Sequence, residues 1–193
     1  ENSITKKTKA VMLVHLLGNP CDMRKIKKIV KQHNLWLIED ACEAHGARYY
    51  QKHVGSFGDL STFSFFASHH ITTMEGGMVL TNNKILYELG KSLRTFGWVR
   101  DLSSRKTLEK KYQKIDPRFL FVNMGYNFRP TELQGAFGIH QIKKLENLVK
   151  IRIKNAVFWN KKLSSCEKFL ILPKLKTHYR KSFLFYPLTV IKN

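Results

Sequence analysis

The first part of the chain alternates between apolar runs and a helical pattern. Residues 9–15 read Lys-Ala-Val-Met-Leu-Val-His, and residues 35–38 read Leu-Trp-Leu-Ile before Glu39 and Asp40. Between the two runs, four apolar residues recur at the spacing of one helix face: Met23, Ile26, Ile29 and Val30. A helix is therefore predicted from Cys21 to about His33. A strand, a helix and a second strand within roughly thirty residues predict a parallel βαβ unit with a right-handed crossover.

Further elements follow at short intervals. Residues 47–58 predict a short hairpin or an irregular excursion, and apolar runs predict strands at 60–66 and 78–81. An asparagine pair, which includes Asn83, can cap a helix predicted at 84–96. Short apolar strands that alternate with amphipathic helices are typical of the α/β class.

The second half of the chain is less regular. Residues 99–119 are polar and rich in lysine, so we expect a surface loop with about one helical turn. A long helix is predicted over residues 131–163, with a possible break near Asn147. Pro173 marks a boundary, and residues 183–190 predict a strand that begins a smaller domain. The predicted fold is α/β: a mixed, mostly parallel sheet with flanking helices and the start of a small C-terminal domain.

Composition and charge limit the partners, the kinds of metal site and the cellular location expected for this chain. The net charge of the 193 residues is +20, but the lysines are scattered over predicted helix faces, which favours a lysine-rich composition over a nucleic-acid partner. The chain has an odd number of cysteines without paired spacing: Cys21, Cys42 and Cys166. This argues against a disulfide framework, an iron–sulfur cluster or a zinc site. We find no signal peptide and no apolar run that could span a bilayer, and we expect a cytoplasmic location without a membrane or nucleic-acid partner.

Two adjacent histidines form the central chemical candidate. His69 and His70 follow the predicted strand 60–66 and precede Glu75-Gly76-Gly77, which allows a tight reversal into the next strand. On a strand the two side chains would point to opposite faces, so they would not bind one metal ion together. The usual role for one of them is a core histidine satisfied by hydrogen bonds. The alternative is a general acid–base group.

Other candidates have two interpretations each. Asp40 ends a buried strand, where a carboxylate can hold a protonated pyridine nitrogen or cap a turn that begins at Ala41. Ser64 is either a phosphate ligand at a strand end or an ordinary strand serine. Arg100 and Arg129 can bind phosphates in a bidentate manner or form surface ion pairs.

Three stretches resemble the DegT/DnrJ/EryC1/StrS sugar aminotransferases. That family usually reads Ser-Phe-x-x-x-Lys-x-(Ile/Leu)-Thr-x-Gly-Glu-Gly-Gly where residues 64–77 stand here, and His69 replaces its lysine. Residues 39–46 resemble the family's Glu-Asp-Ala-Ala-Gln-Ala-His-Gly, with Glu43 in place of the glutamine. Residues 125–136 resemble its Gly-Tyr-Asn-x-Arg-Met/Pro-x-Glu-x-Gln-x-Ala. The histidine is typical of the family's 3-dehydratases of 4-keto-6-deoxy sugars.

The resemblance implies the fold of PLP-dependent transferases (aspartate aminotransferase, type I). It implies pyridoxal 5′-phosphate or pyridoxamine 5′-phosphate as cofactor, held without a Schiff base because imidazole cannot form one. The partners it implies are a nucleotide-sugar substrate, glutamate as amino donor and a second subunit in a homodimer. It also assigns residue roles: His69 as the catalytic group, Asp40, Glu43, Ser64 and Asn127 as cofactor ligands (Asn127 across the subunit boundary), and Trp98, Arg100 and Arg129 along the nucleotide-sugar path.

The resemblance runs from about residue 7 to residue 145, and more loosely to residue 190. It implies a partial large cofactor-binding domain at 1–145, then a connecting helix and the start of a small domain at 146–193. We therefore expect an internal fragment of a longer enzyme, without the family's N-terminal third. The alternative functions are a nucleotide-sugar aminotransferase and a truncated, non-catalytic relative kept as a binding subunit or a basic nucleic-acid binder.

Overall fold

The computed structural model describes residues 1–175 and 177–191. The elements in chain order are β1 (Ala10–Val14), α1 (Met23–Gln32), β2 (Trp36–Asp40), β3 (Arg48–Tyr49), β4 (Lys52–His53), β5 (Leu60–Ser64), β6 (Gly77–Leu80), α2 (Lys84–Leu93), α3 (Arg105–Lys111), α4 (Glu132–Lys162), β7 (Leu170–Ile171), β8 (Tyr179–Arg180) and β9 (Thr189–Val190). Short 3₁₀ helices lie at Leu16–Gly18, Pro117–Phe119 and Ser164–Cys166. The chain divides into a first unit, residues 1–80 with 133–193, and a second unit, residues 81–132.

The first unit is built on a four-stranded sheet with the order β1-β2-β5-β6. Strands β1, β2 and β5 are parallel, and β6 runs antiparallel to β5. Val14 lies opposite Asp40, which lies opposite Thr62, so the three parallel strands end at the same edge. The predicted βαβ unit and the mixed, mostly parallel sheet are confirmed.

The two faces of this sheet differ in burial because side chains alternate along each strand. Four strand residues on one face are buried: Leu13, Leu37, Glu39 and Ser61. Helix α1 covers that face with Met23 and Val30, which are also buried. Neighbouring strand residues on the other face are half-buried or exposed: Met12, Val14, Ile38, Asp40, Thr62 and Ser64. We call this second set the open face; it carries two of the candidate side chains.

The second unit contains α2, α3 and two isolated bridges, Thr95 with Asn127 and Trp98 with Phe121. The predicted cap of α2 is confirmed, because Asn83 Oδ1 accepts hydrogen bonds from the next helical N–H groups at 2.9 and 3.3 Å. The helix ends at Leu93 rather than near Phe96, whose φ of 59° is incompatible with a right-handed helix.

Several predicted elements need correction. The loop 99–119 contains the seven-residue helix α3, not a single turn. Helix α4 runs unbroken through Asn147. The strand predicted at 183–190 is wrong except for β9, which pairs with β7. Its first residues, including Leu184, are buried as an irregular segment that bonds to the loop after β1, so apolar character there reflects burial without a sheet.

The predicted domain boundary at residue 145 stays a prediction. Residues 176, 192 and 193 belong to the predicted second domain and lie outside the described residues. In the described part of the chain, no helix is both long and apolar enough to cross a membrane.

Candidate functional site

Asp40 and Ser64 lie at the ends of adjacent parallel strands, on the open face of the sheet. Asp40 is half-buried, and its Oδ1 accepts a hydrogen bond from Cys42 N at 3.0 Å. This bond is the cap-like contact of one of the two interpretations of Asp40. It occupies one carboxylate oxygen, and the Cys42 thiol also lies close enough to the carboxylate to interact with it.

Ser64 is the last residue of β5. Its Oγ accepts a hydrogen bond from Phe66 N at 3.2 Å, which turns the chain out of the strand. Because that contact uses an oxygen lone pair, the hydroxyl hydrogen can still be donated to an anion.

Glu43 ties the turn after β2 to the loop after β1. Its Oε2 accepts a hydrogen bond from Leu17 N at 2.7 Å, and the residue is half-buried. The carboxylate therefore lies at the same edge of the sheet as Asp40, with one oxygen engaged by the backbone.

His69 and His70 lie in a turn after β5, not on the strand itself. His69 is half-buried; its backbone N–H donates to Phe66 O at 3.1 Å, and its Nδ1 is buried without a partner in the described chain. His70 is buried, and its Nε2 lies 3.1 Å from Ser182 O. His70 is thus a core histidine held by a hydrogen bond, and His69 has a ring nitrogen uncommitted.

A third histidine packs beside this pair. The ring of His45 is 5.7 Å from that of His70 and 5.2 Å from Phe63, and it is almost fully buried. Burial lowers the pKa of both His45 and His70 to about 4; the neighbouring histidines lower that of His45 further, and the charges of Arg152 and His69 lower that of His70. Both rings are therefore neutral near pH 7.

Glu39 was not predicted as a key residue, although it organises the buried face. Its carboxylate is fully buried and accepts hydrogen bonds from His15 Nε2 at 2.9 Å and from Gly55, Phe57 and Gly58 N–H groups at 2.8, 2.6 and 2.7 Å. The signal was present in the alternation of β2, because Glu39 stands two residues after the buried Leu37.

In the second unit, Trp98 and Arg100 line a cavity of about 460 Å³ together with Arg105, Pro117 and Arg118. Arg105 pairs with a carboxylate at 2.6 Å, and Arg118 pairs with another at 2.7 Å. Arg100 instead lies over the Trp98 ring, 5.2 Å from its centroid, and has no ion pair with any described carboxylate. Trp98 Nε1 is buried and has no partner among the described residues. The cavity thus offers one cation, Arg100, that is not paired with a described carboxylate.

Asn127 and Arg129 form a pair of their own in the second unit. Arg129 Nε donates to Asn127 Oδ1 at 3.1 Å, and the guanidinium lies 5.3 Å from the centroid of Phe96. This bond directs the amide oxygen of Asn127 to the arginine and leaves its NH₂ group as a donor. Arg129 does not line the cavity that contains Arg100.

Within the described residues, no cluster of three histidine, cysteine or acidic side chains is placed to hold a metal ion. The three cysteines are free thiols.

Comparisons with known proteins agree on one family. The family model of the DegT/DnrJ/EryC1/StrS aminotransferase family matches residues 1–193. The chain is 44% identical to the GDP-4-keto-6-deoxy-D-mannose 3-dehydratase of Yersinia pseudotuberculosis over 167 residues, which cover 86% of this chain and 42% of that protein. It is 39% identical to the GDP-perosamine synthase of Escherichia coli O157:H7 over 165 residues, which cover 86% of this chain and 41% of that protein.

Solved structures give the same result. The E. coli GDP-4-keto-6-deoxy-D-mannose-3-dehydratase with bound hydrated PLP superposes with a TM-score of 0.88 at 35% identity, covering 100% of this chain and 49% of that one. Two further structures of a GDP-4-keto-6-deoxymannose-3-dehydratase hold GDP-perosamine in one case and a trapped PLP-glutamate geminal diamine in the other. This chain spans about half the length of these relatives. The predicted fold of PLP-dependent transferases is confirmed.

Proposed function

The chain belongs to the DegT/DnrJ/EryC1/StrS aminotransferase family, and we propose that it forms part of a pyridoxamine-phosphate-dependent enzyme that removes the C3 hydroxyl group of a nucleotide-linked 4-keto-6-deoxy sugar. The observation that carries this proposal is His69 at the position of the family's lysine. Imidazole cannot form a Schiff base with the cofactor. His69 therefore cannot carry out reaction steps that need a covalent bond between this side chain and the cofactor.

Three side chains of the first unit would bind the cofactor: Asp40, Glu43 and Ser64. When bound, the cofactor supplies an amine that condenses with the sugar ketone and a ring that accepts electrons. The Asp40 carboxylate, at the end of β2, would keep the ring nitrogen protonated. The Ser64 hydroxyl would donate to the phosphate, and Glu43 would lie near the ring while Leu17 N holds its Oε2.

His69 would act as the general acid–base group. Its Nδ1 is buried, so we infer that Nε2 meets the substrate, takes the proton removed during the reaction and returns it to the departing hydroxyl group. The neighbouring His70 is neutral and hydrogen-bonded, which leaves His69 as the histidine of the pair that can exchange a proton.

The second unit would bind the nucleotide part of the substrate. Arg100 is uncommitted to a carboxylate and lies beside the Trp98 ring, an arrangement suited to a diphosphate. Arg129 would contribute a second cation and orient Asn127, whose NH₂ group would reach the cofactor phosphate of a neighbouring subunit in a homodimer. The bound GDP-perosamine and PLP-glutamate adduct in solved relatives support a nucleotide sugar and glutamate as reactants.

An aminotransferase is the second candidate, since relatives named GDP-perosamine synthase are 37–39% identical. Residues 68–70 read Ser-His-His and contain no lysine that could take the place of the missing amine. The product separates the two candidates: a 3-deoxy sugar from dehydration and an amino sugar from transamination.

The test uses the complete gene product that contains residues 1–193, with His69→Lys as the variant and His140→Lys, on an exposed part of α4, as the matched control. We expect borohydride to fix the cofactor covalently to His69→Lys, seen by mass spectrometry, while dehydration falls. Wild type and His140→Lys should stay unlabelled at this segment. A wild-type enzyme that is labelled by borohydride and releases an amino sugar would refute the dehydratase proposal.

A further inference from the structure

We propose that His70 is a positioning residue, whose hydrogen bond to the Ser182 carbonyl fixes the turn that presents His69. This inference rests on the proposed function, because it concerns the placement of the proposed acid–base group. It also assigns a role in the site to a segment more than a hundred residues farther along the chain.

The turn has few other attachments. Its base is closed by Phe65 N donating to Gly76 O at 2.9 Å and Thr73 N donating to Phe65 O at 2.9 Å. Inside the turn, most described bonds are local, such as His69 N to Phe66 O, and near its end Gln134 Nε2 on α4 donates to Glu75 O at 2.7 Å. The described hydrogen bonds of residues 66–72 stay within residues 64–76 except for that of His70 to Ser182. Within residues 66–72, the hydrogen bond to a distant segment is therefore made by the immediate neighbour of His69.

The acceptor is itself held rigidly on one side by the loop after β1. Ser182 is fully buried, and its N–H donates to Gly18 O at 2.9 Å. Leu184 N donates to Leu17 O at 3.1 Å, so two bonds fasten the segment to that loop. Gly18 has a φ of +78°, and a Cβ there would lie 2.5 Å from Ser182 Oγ. Only glycine permits this close approach, which places the Ser182 carbonyl within reach of His70.

Helix α4 holds the same segment from another side. Arg152 Nη1 donates to Phe183 O at 3.1 Å and to Leu184 O at 2.7 Å. The carbonyl that receives the His70 bond is thus part of a backbone stretch that is bonded at both its N–H and C=O groups. A fixed acceptor makes the bond a positional restraint on the turn.

The chemistry of His70 agrees with a structural and not a proton-transfer role. A carbonyl oxygen can only accept, so Nε2 of His70 carries the hydrogen and donates it. Burial keeps the ring neutral near pH 7, with a pKa of about 4. His45 packs beside the ring, with 5.7 Å between the ring centroids. His70 therefore has one fixed tautomer and does not compete with His69 for protons.

Loss of this restraint should reduce catalysis without abolishing binding. A reacting group displaced by about 1 Å can cost on the order of 100-fold in rate. We expect His70→Phe, which keeps a ring but loses the donor, to lower kcat by about 10- to 100-fold with little change in KM. His70→Gln, whose amide nitrogen reaches about as far as Nε2, should restore most of the rate.

The experiment uses the complete gene product with pyridoxamine phosphate and a 4-keto-6-deoxy nucleotide sugar. Steady-state kinetics are combined with hydrogen–deuterium exchange of the peptide 66–76, measured without substrate. We expect faster exchange in His70→Phe, near wild-type exchange in His70→Gln and no change in the control His140→Phe. If His70→Phe does not fold, His70→Asn, whose amide is too short to reach Ser182 O, carries the same expectation.

Wild-type kcat and wild-type exchange in His70→Phe or His70→Asn would overturn the positioning role. His69→Ala, assayed alongside, keeps the two proposals distinguishable. If His69→Ala turns over at the wild-type rate, the proposed function fails; if it is inactive while His70→Phe is fully active, only the positioning inference fails.

Discussion

Replacing Glu39 by glutamine should destabilise the first unit, because this buried carboxylate accepts four hydrogen bonds. Glu39 Oε1 accepts from Phe57 N and Gly58 N, and Oε2 accepts from His15 Nε2 and Gly55 N. A glutamine NH₂ group placed at either position faces two donors and can accept from neither. The substitution keeps the volume of the side chain, so its cost arises from hydrogen bonding alone.

The magnitude follows from the two lost bonds. Hydrogen bonds to a charged group contribute about 1.5–3 kcal/mol each, so two of them predict a loss of about 3–6 kcal/mol in the free energy of unfolding. Burial alone would raise the pKa of Glu39, but His15 and the three N–H groups outweigh it, and the pKa lies below its ordinary 4.5. The stabilisation is therefore complete above about pH 4.5 and is lost as the pH falls through the lower folded-state pKa.

Chemical denaturation of the complete gene product at pH 7 measures this cost. Glu109→Gln, which removes one partner of an exposed ion pair with Arg105, is the matched control and should change stability by less than about 1 kcal/mol. The free energy of unfolding of the wild type should also fall as the pH drops below about 4.5. In Glu39→Gln it should fall less steeply. A loss below about 1 kcal/mol in Glu39→Gln would refute the reasoning.

Three further predictions address separate parts of the chain. Arg100→Ala should weaken nucleotide-sugar binding by about 1–3 kcal/mol in calorimetry, while Arg118→Ala, whose guanidinium is already paired, should not; equal effects would contradict the assignment. Asn83→Ala should cost about 1 kcal/mol in thermal or chemical unfolding because the cap of α2 is lost, and an unchanged midpoint would argue against it. Since burial lowers the pKa values of His45 and His70 from 6.5 to about 4, the unfolded state takes up protons first, and stability should fall as the pH drops from 6.5 to 4. His70→Gln should flatten that fall in denaturation curves collected across this pH range.

The sequence predicted the edge of the sheet well because the pattern there is local. Apolar runs predicted β1, β2 and β5 and put Asp40 and Ser64 each at a strand end; the parallel register brings these two strand ends to one edge of the sheet. For the adjacent histidines, the sequence left a core role and an acid–base role open; a hydrogen bond holds His70 in the core, and the role of His69 stays a prediction. Which of the two fills the core role depended on a partner far along the chain.

The other features of the fold and of the site depend on contacts between residues far apart in the sequence, which no local pattern predicts. The donors to Glu39 come from an irregular stretch at 55–58 that folds back under β2. Residues 183–190 are apolar enough for a strand, yet Leu184 is buried by bonds to the loop after β1. His70 and Ser182 are likewise far apart in the sequence, so their hydrogen bond cannot be predicted from neighbouring residues.

The acid–base role of His69 is tested most directly by the turnover of His69→Ala. In the complete gene product with pyridoxamine phosphate and a 4-keto-6-deoxy nucleotide sugar, the variant should still bind the cofactor, because Asp40 and Ser64 are unchanged. Dehydration should fall by roughly 10²–10⁴-fold, the usual contribution of a positioned acid–base group. A cofactor-loaded His69→Ala that forms the 3-deoxy product at the wild-type rate would contradict the account.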